Sequence, residues 1–148
     1  MKPDMKRIIF GGIAALYAAL LPLAASAAAL DEPLACTQSA HRFIADLSDQ
    51  QLIDPKPMRV ESNSINAFQP SHGTLLTAFG FNVIAVVGFE QDDPLFKPGK
   101  GEPIGRSAYG AVVFGSTGKV QAAVTAAGSD AIVHHVGPLV TAIFCKRS

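Results

Sequence analysis

Phe79-Gly80-Phe81-Asn82-Val83-Ile84-Ala85-Val86-Val87-Gly88-Phe89 is the stretch whose reading decides the fold class. Successive side chains of a strand point to opposite faces. Phe79, Phe81, Val83, Ala85, Val87 and Phe89 therefore share one face, and Gly80, Asn82, Ile84, Val86 and Gly88 the other. Both sets are largely apolar, which predicts a long strand in the centre of a sheet. Gly80 or Gly88 marks a bend or bulge.

Working outward, residues 58–68 begin as a strand, with Met58 and Val60 alternating against Arg59 and Glu61. The pattern fades at Ser62-Asn63-Ser64, and Pro70-Ser71-His72-Gly73 makes a turn. Beyond the central run, residues 109–114, 119–126 and 131–145 supply three more strands. Gly115-Ser116-Thr117-Gly118 joins the first two as a hairpin turn, and Gly137-Pro138 interrupts the last. One helix precedes all of these. Thr37 or Ser39 caps it, and Ala40, Phe43, Ile44 and Leu47 recur at helical spacing as a single apolar stripe. Asp54-Pro55-Lys56-Pro57 keeps it from continuing, because a residue before proline avoids the α region.

The chain thus reads as α+β: an N-terminal helix packed on one face of a curved antiparallel sheet of about five strands. This element order resembles cystatin-like folds and similar helix-on-sheet scaffolds. The resemblance is one of order alone, and such scaffolds host many unrelated functions.

The first residues read as an export signal. Lys2, Lys6 and Arg7 form a basic start, an uncharged run covers residues 8–30, and Ala25-Ser26-Ala27 is an A-x-A cleavage sequence. Ala27-Ala28-Ala29 offers a second, so the mature chain is expected to begin at Ala28 or Leu30. Pro33 stands where a lipobox wants leucine, three residues before Cys36. Taking residues 1–27 as the signal leaves residues 28–148, long enough for a single globular domain. Of the 12 basic and 12 acidic residues in the full chain, 9 and 11 remain, a net charge of −2. A near-neutral surface gives no reason to expect nucleic acid as a partner, nor a membrane once the signal is removed. The expected location is periplasmic or extracellular.

The chain has two cysteines, Cys36 and Cys145, which enclose nearly the whole mature segment. In an exported chain an even count pairs by default, and two cysteines allow one connectivity. Closing a loop of this size is worth about 4–5 kcal/mol on loop-entropy grounds.

Motifs that carry chemistry are scarce. Gly115-Ser116-Thr117-Gly118-Lys119 resembles a phosphate loop only superficially, because the position five before Gly118 is Val113 and a strand is expected to follow. Gly105-Arg106-Ser107-Ala108-Tyr109 misses the nucleophile elbow at its last position. His134 and His135 are adjacent on an expected strand, so they diverge to opposite faces, one inward and hydrogen-bonded, one in water. Asp92-Asp93 beside Pro94 reads as a turn initiator. No metal and no cofactor is expected.

The one long connection, residues 91–106, is rich in glycine and proline and carries Phe96, Lys97, Lys100 and Arg106. Long loops are often functional, and this one is the expected partner-binding loop, with Phe96 as apolar anchor and the three cations as donors. The functional expectation is a small exported binding protein, of the kind that inhibits or neutralises another protein. Two alternatives stand beside it. One is a metal-dependent or hydrolytic enzyme using His134 or His135, with His41 or His72. The other is a carrier holding a small apolar ligand in a cavity enclosed by helix and sheet.

Overall fold

The computed structural model describes residues 26–148. The expected signal lies outside that range, save for Ser26 and Ala27 at its end. The elements are β1 (Ser26–Ala29), a 3₁₀ turn (Pro33–Ala35), α1 (Ala40–Asp49), β2 (Arg59–Val60), β3 (Asn66–Phe68), β4 (Thr74–Ala78), β5 (Phe81–Glu90), β6 (Ser107–Phe114), α2 (Thr117–Ala126), β7 (Ile132–Gly137) and β8 (Val140–Arg147). Among the described residues the fold is α+β, with two helices and one mixed sheet of eight strands. The main path through the sheet runs β1-β4-β5-β6-β8-β7. β3 joins the far end of β5, on the edge that β4 uses at the near end, and β2 pairs with β3. Only β1 runs parallel to its neighbour.

Helix α1 forms where the apolar stripe placed it. The Ser39 Oγ accepts from the Arg42 N–H at 3.1 Å, capping the first turn. Ala40, Phe43, Ile44 and Leu47 are buried. The helix is not the first element, since β1 and the 3₁₀ turn precede it. It lies across β5 and β6. Phe43 stacks on Tyr109 with ring centroids 4.7 Å apart. Ile44 comes so close to Gly88 that a Cβ there would sit 2.8 Å from the Ile44 side chain. A side chain at that position would have to displace Ile44. Phe68, Val86, Ala111, Val113 and Ile143 complete this layer.

The long central strand is in fact a hairpin and a bulged strand. Phe79 and Gly80, at φ 50° and 87°, form a two-residue turn between β4 and β5, the left-handed geometry that tight hairpins require. A register shift between Val83 and Ala85 leaves Ile84 unpaired against β6. The extra residue reverses the alternation. Val83 and Val86 both enter the core, Ile84 is exposed, and Ala85 and Val87 move to the opposite face. A strict two-residue period run through the bulge thus misassigns Ala85, Val86 and Val87.

Three further expectations change. The single strand over 58–68 is the short hairpin β2–β3. The strand over 131–145 is the hairpin β7–β8, turning at Pro138–Leu139. The strand expected at 119–126 is helix α2. Val120 and Val124 are its buried positions, and residues four apart satisfy both a strand's period and a helix's. The alanines at 122, 123 and 126 favour the helix.

Cys36 and Cys145 are disulfide-bonded, with Cα atoms 5.2 Å apart and 109 residues between them. The bond ties the 3₁₀ turn to β8. The same turn is held by the Tyr109 hydroxyl, which donates to the Pro33 carbonyl at 2.8 Å, and by the Ser129 hydroxyl, which donates to Leu34 at 2.5 Å. Among the described residues, no helix is long and apolar enough to cross a membrane.

Candidate functional site

With Val86, Tyr109, Ala111, Val113 and Ile143 turned toward α1, the alternate residues of the same strands face the other way. Ala67 on β3, Ala85 and Val87 on β5, Ala108, Gly110 and Val112 on β6, and Ala142 and Phe144 on β8 make up this second face. No helix covers it. Even so, Ala67, Ala85 and Ala108 are only 3%, 9% and 1% exposed, and none of them belongs to the helix-side core. They form the floor of a trough of about 380 Å³, with Ile65 and Ile104 at one end and His134, Val136 and Phe144 at the other. Small-molecule sites occupy roughly 300–1,000 Å³ and are mostly apolar. Gly110, between Ala108 and Val112 on β6, passes so close to β8 that a Cβ there would collide with the Ile143 carbonyl and the Phe144 backbone.

The connection over 91–106 contributes Ile104 to the edge of this trough. Asn66, fully buried, sits opposite Lys97. Its Nδ2 donates to the Lys97 and Ser64 carbonyls, both at 2.9 Å, and its Oδ1 accepts from the Lys97 N–H at 3.0 Å. The Gly99 N–H donates to the Ser64 hydroxyl, the Gly101 N–H to the Ser62 carbonyl and the Ile104 N–H to the Asn63 carbonyl. The loop is laced to the β2–β3 hairpin, and Ile104 is set at the edge. Phe96 is buried in edge-to-face contact with Phe68 and Phe89. It is therefore a core residue and not a surface anchor, because its ring fills space that only the folded sheet creates. Lys97, Lys100 and Arg106 are exposed. Arg106 stands at the base of the loop, where its N–H donates to Arg147, and the two lysines lie on the part laced to the hairpin.

The histidines are dispersed. His134 and His135 do point to opposite faces, but β7 is an edge strand and both are exposed. His134 lines the trough. The His135 Nδ1 lies 3.1 Å from the Thr117 Oγ1, which is 3.2 Å from the Thr141 Oγ1. Thr141 donates its proton to the Gly115 carbonyl at 2.8 Å. Thr117 therefore donates to Thr141 and accepts from His135, which places the imidazole proton on Nδ1. His41 is elsewhere, with its Nδ1 2.6 Å from Asp93. Nearby, the Ser107 hydroxyl donates to Glu90 at 3.1 Å and accepts from the Ala40 N–H. Glu90 also accepts from the His41 N–H. Ser107 and Glu90 thus satisfy the first turn of α1, and the serine proton goes to a carboxylate rather than to a histidine. His72 lies on the exposed turn after β3. Among the described residues, no three potential metal ligands converge.

Sequence reasoning missed the trough for a definable reason. The small residues at 108, 110 and 142 alternate along their strands and were visible, but the bulge at Ile84 hid that Ala85 and Val87 join them. No protein-family model, curated protein or solved structure matches this chain.

Proposed function

We propose that the chain is a small exported binding protein, periplasmic or secreted, that works through the trough on the uncovered face of its sheet. The observation carrying this reading is the mostly apolar hollow whose floor is Ala67, Ala85, Ala108 and Ala142 with Val87 and Val112. Large apolar faces left open on a monomer mark binding surfaces. The leader-like start and the Cys36–Cys145 bond support an oxidising compartment. The carrier reading is kept with its site moved to the uncovered face, because the buried side chains between α1 and the sheet interlock.

The test is native mass spectrometry of the protein isolated gently from the exported fraction of its host. A bound species retained by the wild type and lost in Ala85→Phe, which fills the floor, is the expected result. An empty wild type, or equal retention by the variant, would remove the trough from consideration.

A second reading keeps the inhibitor or immunity-type role on the 91–106 loop. What favours it is the lacing by Asn66, since a loop held in place loses little entropy on docking. Lys97→Ala with Lys100→Ala should then weaken capture of a partner protein without moving the unfolding midpoint, and unchanged capture counts against it.

A further inference from the structure

We infer that the trough holds one extended acyl chain, with its carboxylate at His134; this rests on the trough being the binding site. The lining runs across the sheet from the β2–β3 hairpin to β7, over β5, β6 and β8. From β3 to β7 there are four strand-to-strand steps of about 4.8 Å, a length of about 19 Å. The hollow along that length holds about 380 Å³ and is lined mostly by apolar side chains, room for one alkyl chain laid along it.

The alternatives fit less well. A helix is about 10–12 Å across with its side chains, so it would ride on the rim of the hollow and leave the alanine floor unfilled. An extended peptide would lie crosswise to the strands, so its N–H and C=O groups would meet alanine and valine side chains instead of ladder partners. Buried unpaired backbone groups are costly. An alkyl chain has no polar groups along its length and needs none satisfied.

Charge sets the direction. At the hairpin end the Arg59 Nε lies 2.6 Å from Glu61, so cation and anion cancel there. At the β7 end His134 lines the trough with no hydrogen-bond partner among the described residues. An imidazole N–H is the complement of a carboxylate, whereas Glu61 would repel one.

The inference is tested by titrating the exported protein with palmitate, its methyl ester, the lysophosphatidylcholine carrying the same chain, and cholesterol. Palmitate should bind saturably, one per protein chain, and more tightly than the other three. Ala85→Phe should weaken it by about tenfold or more. Ala142→Phe, at an independent position of the floor, should do the same if the first variant folds poorly. His134→Gln should lower affinity for palmitate and leave that for the methyl ester unchanged. Absence of saturable palmitate binding, or binding indifferent to both floor variants, overturns the acyl-chain assignment. Lysolipid or ester binding as tight as palmitate overturns the placement of the carboxylate at His134. If palmitate fails but the floor variant still strips a native bound species, this inference falls and the trough remains the site. If neither result is obtained, both fall together.

Discussion

The two faces of one sheet are built on opposite rules. Beneath α1, large side chains interlock: Phe43 on Tyr109, Ile44 over Gly88, with Phe68, Val86, Val113 and Ile143 around them. On the other face, the positions one residue along are mostly small, alanine or glycine at 67, 85, 108, 110 and 142, with Val87 and Val112 between them and Ile65, Ile104 and Phe144 farther out. Dense packing fixes a fold because each methylene lost from it leaves a cavity. Small residues with larger ones farther out leave a hollow. The covered face holds the protein together, and the open one is free to hold something else.

That contrast is strongest where the covalent link acts. Replacing Cys36 and Cys145 by serine should lower unfolding free energy by about 4–5 kcal/mol, since the loop closed is nearly the whole domain. Denaturant unfolding with and without reductant measures it, and a change below about 1 kcal/mol would show that the covered face needs no staple.

Next, Phe43→Ala should cost about 3–5 kcal/mol as a large-to-small core change. A small loss in denaturant melts would mean the helix is only loosely seated on Tyr109.

Asn66→Ala sits between the two faces, because it removes the clamp that holds the 91–106 loop at the trough edge. Stranding the Lys97 N–H and carbonyl should cost about 2–3 kcal/mol. Hydrogen exchange at Lys97 should accelerate with it. Unchanged protection there would locate the loop's rigidity in Ser64 and Asn63 instead.

Tyr109→Phe should cost about 1 kcal/mol at neutral pH, through the lost bond to Pro33. Its larger signature is in pH. Burial holds the Tyr109 phenol above its ordinary value of 10.0, with the Gln38 backbone and Arg147 pulling the other way. The folded chain then keeps a proton that the unfolded chain gives up. This stabilisation is fully present below about pH 10 and is lost as pH rises through the folded value. The variant should flatten that decline, and an identical alkaline profile would show the phenol is free to ionise in place.

The smallest effect is expected on the open face. Val112→Ser should shift stability by less than about 1 kcal/mol, as partly exposed substitutions do, while lowering occupancy of the trough. A loss as large as that of Phe43→Ala would mean the two faces are not different in kind.

Much of the covered face was legible in the chain. The stripe Ala40, Phe43, Ile44 and Leu47 specifies α1 because helix periodicity is local, and Ser39 caps it within three residues. Cys36 and Cys145 pair because only one connectivity exists. The two-residue alternation from Phe81 to Val83, and again through 109–114, holds wherever a strand runs unbroken. What only the tertiary structure decided is each place where the local pattern admits two answers. The spacing of Val120 and Val124 fits strand and helix alike, and packing against β7 and β8 chose helix. Phe96 reads equally as anchor or core until Phe68 and Phe89 close around it. The bulge at Ile84 depends on how β5 meets β6, a pairing between residues about thirty apart in sequence. A side chain's face in a bulged strand is a property of its neighbours, so the trough became visible only when the strands were laid together.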